Sequence, residues 1–129
     1  MMMHIAIRST CVALALSMGA GHTVAQRGWI GVLKNTAAEN FDDEDLRLFM
    51  DASRKALNGP PEQGAVAWEN AATKSRGNVT VEKTFTWHDH PCRRLRVDNE
   101  AHGVRDSQTA SLCQVDLRWR LVSPSDLQE

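Results

Sequence analysis

Two periods of apolar residues divide the chain. From Leu46 to Leu57, the residues Leu46, Phe49, Met50, Ser53 and Leu57 recur at i, i+3, i+4, i+7 and i+11, a spacing that gathers them on one helix face. Asp42 stands as the N-cap, with Asp45 three residues on in a capping-box position. Asp43, Glu44 and Asp45 place negative charge in the first turn, where the helix dipole favours it. Gly59 ends the helix and Pro60-Pro61 forbid its continuation. The pattern predicts an amphipathic helix over 43–57. Its acidic start reads as a solvated helix terminus rather than a cation site.

After Gly59 the period becomes two. Gly64–Asn70 reads as a short strand, and the polar run Ala71–Asn78 as a turn or loop. Val79, Val81, Phe85 and Trp87 then alternate with Thr80, Glu82, Thr84 and Thr86, with Lys83 the one polar residue on the apolar side. That is the signature of a half-buried antiparallel strand. His88-Asp89-His90-Pro91 turns the chain, because Pro91 has no N–H for a ladder.

The stretch from Pro91 to Trp119 reads as a hairpin around the loop Asn99–Gly103. A loop centred between His102 and Gly103 sets Cys92 opposite Cys113, Arg94 opposite Ser111, Leu95 opposite Ala110 and Arg96 opposite Thr109. Directly opposed residues bring their Cβ atoms close enough for a disulfide only at the closer, non-hydrogen-bonded pairs. This register turns Leu95, Val97, Ala110 and Leu112 inward and leaves Arg94, Arg96, Thr109 and Ser111 outside with the cysteines. Val115, Leu117, Trp119 and Leu121 are in phase with Cys113 and not with Leu112. The chain must therefore bulge, twist or turn between Gln114 and Leu117. Arg118–Val122 is a separate last strand or a continuation past a bulge.

These elements predict an α+β fold: one amphipathic helix packed on a small antiparallel meander of four to five strands, stapled by one disulfide. The 129 residues suit one domain, and 42% apolar content supplies a small core. A formal net charge of −1 gives no bulk attraction to nucleic acid or anionic membranes. Before Arg27 the only charged side chain is Arg8, and Cys11–Leu16 is an apolar run too short to span a bilayer. Small residues at Thr23 and Ala25 complete the form of a secretory signal peptide, cut after Ala25 with Ala20 as the alternative. The cut removes Cys11 and leaves Cys92 and Cys113, an even count that suits a disulfide in an exported chain. The division is then a signal peptide over 1–25, a lead over 26–40 in which Trp29 is the anchor, the folded domain over 41–122 and a flexible tail over 123–129. The mature chain has no transmembrane helix.

Several short motifs resemble a known family. Trp68-Glu69-Asn70, the Gly77-Asn78-Val79-Thr80 entry into a strand, Pro91-Cys92-Arg93, and Leu112-Cys113 followed by Trp119 are similar to the surface-antigen domain of the rickettsial seventeen-kilodalton common-antigen family. The resemblance spans roughly Leu46 to Leu121. It implies an exported protein of the bacterial cell envelope, often an outer-membrane antigen, with no enzymatic activity. Relatives often carry Asp-Gly before the last tryptophan, where this chain has Asp116-Leu117. Many also carry a lipoprotein cysteine and a glycine-rich apolar segment, both missing here.

Candidate chemistry is sparse. His88 and His90, one residue apart on an extended strand, would share a face, but zinc sites usually take three or four protein ligands. His102 falls at the other end of the hairpin. No metal or other cofactor is expected. No catalytic residue is assigned. There is no nucleophile-elbow, P-loop or dinucleotide pattern. Arg93, Arg94, Arg96, Arg118 and Arg120 form a basic stripe that suits an envelope component: outer membrane, peptidoglycan or protein. Nucleic acid is not expected, because the stripe lacks interleaved aromatics and the chain is exported. The four tryptophans, Trp29, Trp68, Trp87 and Trp119, are expected to pack between helix and sheet. The reading is an exported non-enzymatic envelope domain with a structural or binding role. The alternative is a small periplasmic metal-binding or enzymatic module centred on His88 and His90.

Overall fold

A computed structural model describes residues 34–128. The expected signal peptide, its expected cleavage site and Trp29 lie outside the described residues. One helix, α1 (Asp43–Asn58), packs on one face of a five-stranded antiparallel sheet whose strands follow chain order: β1 (Val66–Glu69), β2 (Arg76–Trp87), β3 (His90–Ala101), β4 (Val104–Val115) and β5 (Arg118–Val122). This is the expected α+β architecture.

The helix forms where its caps dictate. Asp42 accepts from the Asp45 N–H at 2.7 Å, and Asp45 Oδ2 accepts from the Asp42 N–H at 3.1 Å, so both halves of the capping box are made. Its inner face differs from the expected one. The buried residues are Asp45, Phe49, Ala52, Ser53, Ala56 and Leu57, while Leu46 is 40% exposed. The helix is rotated so that Asp45, rather than its neighbour Leu46, points at the sheet. Phe49, Ala52, Ala56 and Leu57 then pack with Trp68, Val79, Leu95, Val97, Ala110 and Leu112 into one core. Phe41 sets its ring edge-on against Trp68 at 5.1 Å.

The central hairpin has the predicted register. Cys92 pairs with Cys113, Leu95 with Ala110 and Arg96 with Thr109. Its strands run further than expected, to Ala101 and from Val104, so only His102 and Gly103 remain in the turn. Both carry positive φ, 51° and 77°. The pair His88-Asp89 (47° and 62°) and the pair Asp116-Leu117 (51° and 62°) do the same. Three two-residue turns of this handedness join β2 through β5, the connection whose twist matches the strands.

The phase change after Cys113 has its cause in the last of these turns. The chain reverses at Asp116-Leu117, and β5 runs back with Trp119 opposite Gln114 and Leu121 opposite Leu112. Trp119 and Leu121 thereby share the helix face with Leu112. A tight two-residue turn at Asp116-Leu117 makes the reversal.

A second change of phase lies inside β2. Val81 pairs with Leu95 and Lys83 with Arg94, so Glu82 is an extra residue, a bulge. It sends Val79 and Val81 to the helix face and Phe85 and Trp87 to the opposite, outer face. The sequence reads as one continuous alternation, but the strand serves two clusters. Phe85 and Trp87 pack on the outer face with Cys92, Cys113, Val122 and Leu127.

Short turns at both ends of the described residues extend the domain. A 3₁₀ turn over Ala37–Asn40 lies on the sheet, with Ala37 buried and its N–H bonded to Asp106 Oδ2 at 2.7 Å. The segment expected to be a flexible tail carries a second 3₁₀ turn, Asp126–Gln128, and the Trp87 indole donates to the Asp126 carbonyl at 3.2 Å.

At Gly77 backbone proximity demands glycine. It lies in a row with Trp68 and Asn99, and a Cβ there would meet the Trp68 indole nitrogen at 2.6 Å and the Asp98 carbonyl at 2.5 Å. At Leu117 the demand is conformational. Its φ of 62° is one that a leucine adopts at a cost, and its side chain is 90% exposed with nothing to compensate. Leu117→Gly is expected to raise stability by about 1 kcal/mol in urea unfolding with the disulfide intact, since relief of the strain outweighs glycine's extra freedom in the unfolded chain. A lower midpoint would contradict the turn assignment.

Candidate functional site: the outer sheet face

The outer face of the sheet carries the two cysteines and four of the five arginines of the predicted stripe. Its middle is the disulfide. Cys92 and Cys113 are buried, their sulfurs bonded at 2.04 Å and their Cα atoms 4.0 Å apart. Cα atoms this close mark a non-hydrogen-bonded pair, as the register demanded. The bond lies under Val122, Leu127, Phe85 and Trp87.

The basic stripe divides. Arg94, Arg96, Arg118 and Arg120 alternate with inward residues and share the outer face. Arg93 does not. It sits one residue out of phase, on the helix face, where its guanidinium donates to the carbonyls of Ala56 and Gly59, each at 2.7 Å. Arg93 therefore closes the C-terminus of α1, satisfying orphan carbonyls at the negative end of the helix dipole. On the outer face Arg94 pairs with Glu82 at 3.5 Å and Arg96 with Asp98 at 3.2 Å. Arg118 and Arg120 have no ion-pair partner among the described residues.

At the β1 end the same face forms an open cleft of about 810 Å³, lined in part by Glu69, Arg76, Asn78, Asp98, Glu100 and Arg105. Glu100 accepts from Arg76 Nε at 3.0 Å and from Arg105 Nη2 at 3.2 Å. These two guanidiniums hold its carboxyl below the usual range. Arg76, Glu100 and Arg105 thus answer one another across the cleft. The sequence reading passed over these residues, although the hairpin register already set Glu100 opposite Arg105.

His88 and His90 are not brought together as strand neighbours. His88 occupies a turn with φ of 47° and sets its ring edge-on to Trp87 at 4.2 Å, while His90 opens β3. Among the described residues no group of three or more His, Cys, Asp or Glu side chains is placed to hold a metal. Of the tryptophans, Trp68 and Trp119 lie on the helix side, where the Trp119 indole donates to Asn58 Oδ1 at 2.9 Å. Trp87 lies on the outer face, carried there by the bulge. Among the described residues no helix is long and apolar enough to cross a membrane.

The acidic start of α1 holds the most consequential polar group. Asp45 is 0% exposed. Its Oδ1 accepts from Thr73 Oγ1 at 2.6 Å and Asn70 Nδ2 at 2.8 Å. Sequence reading placed Asp45 at a solvated terminus. Instead it ties the helix to the loop 70–75, which feeds β2. Burial alone would raise its pKa, but the bonds from Thr73, the Asp42 N–H and Asn70 outweigh it and hold the carboxyl below its ordinary value. Thr73 and Asn70 lie 28 and 25 residues from Asp45, so only the folded tertiary arrangement reveals them as its partners.

Comparison of the chain with family models, with curated proteins and with solved structures returned no match.

Asp45→Asn is expected to cost about 2 kcal/mol at pH 7, because an amide cannot accept from all three donors. A carboxyl whose folded pKa is depressed contributes stability above its unfolded pKa of about 3.9 and loses it as pH falls through the folded value. The stability gap between wild type and Asp45→Asn should therefore be constant near neutrality and shrink below about pH 4. A gap unchanged by acid in urea titrations would contradict the ionised network.

Proposed function

We propose that this chain is an exported, non-enzymatic domain of the bacterial cell envelope, of the surface-antigen type, with a structural or binding role carried by the outer sheet face. The observation that carries the reading is the disulfide. A cross-strand bond between the two cysteines outside the leader suits an oxidising compartment, whereas thiols in the cytosol are kept reduced. The leader-like sequence over 1–25 and the motifs shared with the rickettsial common-antigen family support the same compartment. The outer face supports the binding role. It carries exposed arginines and a charged cleft, while the helix covers the other side. The partner is an envelope component: outer membrane, peptidoglycan or another envelope protein.

Thiol trapping tests this reading. Native cells are acid-quenched and alkylated, then fractionated, and the chain is weighed without reduction. The expected product is a chain beginning near Gln26, found with the periplasm or outer membrane, with one disulfide and no alkylated cysteine. A cytosolic chain that keeps residues 1–25 and carries alkylated Cys92 and Cys113 would overturn it.

A further inference from the structure

Strand β2 is only half covered. Strand β1 pairs with Arg76–Val79 alone, while β3 runs along β2 as far as Trp87. From Thr80 to Trp87 the side of β2 away from β3 has no strand beside it among the described residues. Unpaired edges of this kind are templates for another strand.

The direction of the free backbone groups follows from two observations. In a two-residue hairpin the residues flanking the turn form a hydrogen-bonded pair, so Trp87 and His90 bond to each other across the His88-Asp89 turn. The close Cα spacing of Cys92 and Cys113 points the Cys92 backbone away from β4 and towards Phe85. Both place the N–H and C=O groups of Phe85 and Trp87 inside the β2–β3 ladder. Those of Thr84 and Thr86 consequently face the open edge. From that edge a groove of about 640 Å³ runs across the sheet, past Arg93 and Gln114, to Trp119 on β5.

Read against itself in reverse about Phe85, the edge sets Thr84 opposite Thr86 and Lys83 opposite Trp87. We propose that the occupant of this edge is a second copy of the chain, paired antiparallel about a twofold axis at Phe85. In that register Thr84 exchanges backbone hydrogen bonds with Thr86 of the partner subunit, and by symmetry the exchange occurs twice. Phe85 meets the partner's Phe85 at a non-hydrogen-bonded position, where cross-strand side chains are closest. Lys83 lies across from the partner's Trp87, a cation over an indole, and diagonal to the partner's Asp89. The twofold axis repeats the approach of Lys83 to the partner's Asp89 at each end of the pairing, and this charge complementarity favours a second copy over an unrelated strand. An isologous interface of this kind closes on itself and extends the sheet to ten strands. The contact is small, so the dimer is weak, with a dissociation constant of roughly tens to hundreds of micromolar.

Sedimentation equilibrium on the full chain, with the disulfide intact and over a concentration series, tests the proposal. A reversible monomer–dimer equilibrium is expected, with the amides of Thr84 and Thr86 exchanging more slowly as concentration rises. Thr86→Pro removes an edge donor without touching the β2–β3 ladder, and proline is tolerated on an edge. It should weaken dimerisation at least about tenfold while far-UV circular dichroism stays unchanged. Lys83→Glu brings like charge towards the partner's Asp89 and should weaken the dimer in the same direction, which keeps the test decisive if the proline variant unfolds. A chain that stays monomeric to about 1 mM, well above the range such a contact allows, would overturn the proposal. So would a dimer whose dissociation constant neither variant moves.

Discussion

Cys92 and Cys113 face each other with Cα atoms 4.0 Å apart, and that single close pair governs the hydrogen-bonding parity of the sheet. Once Cys92 turns its backbone away from β4, every second residue along β3 does the same. Leu95, Val97 and Asn99 then project towards the helix, and Arg94 and Arg96 project outward. A shift of one residue would exchange these sets, burying two arginines under α1 and exposing Leu95. The covalent bond removes that alternative. Arg93 shows how finely the parity is used. One position from the cysteine, it reaches under the helix end and closes it through the carbonyls of Ala56 and Gly59.

Asp45 couples the helix to the first turn of the sheet from the other end. A buried carboxylate is costly unless its lone pairs are filled, and here the Asp42 N–H, Asn70 and Thr73 fill them. The helix is thereby held at both termini, by Asp45 at its start and by Arg93 at its close. Between them, Phe49, Ala56 and Leu57 bury apolar surface against Trp68 and Leu95.

The helix, its caps and the central hairpin were legible because each depends on short-range signals: Asp42 and Asp45 three apart, Gly59 with two prolines, and two cysteines equidistant from His102-Gly103. The turn at Asp116-Leu117 was legible as a phase change without a named cause. The bulge at Glu82 was not legible. Val79, Val81, Phe85 and Trp87 keep a period of two broken only by Lys83, and the extra residue reveals itself against Leu95 and Arg94 on the neighbouring strand. Two clusters on opposite faces account for that pattern, since each half of β2 is apolar towards its own. The burial of Asp45 was hidden for a related reason: its partners lie in a loop whose position depends on the assembled sheet. On the outer face, the exposure of Arg94, Arg96, Arg118 and Arg120 followed from parity alone, whereas the cleft around Glu100 depends on how the twisted strands lie together.

The central claim is that the disulfide clasps a register which the hydrophobic pattern and the two-residue turns already select. Its most direct test is the Cys92→Ala, Cys113→Ala double variant, compared with the oxidised chain by urea unfolding and by cross-strand nuclear Overhauser contacts. The account predicts a loss of about 3 kcal/mol, with the Leu95–Ala110 and Arg96–Thr109 pairings retained. Unchanged stability, or a sheet re-paired by one residue, would contradict it.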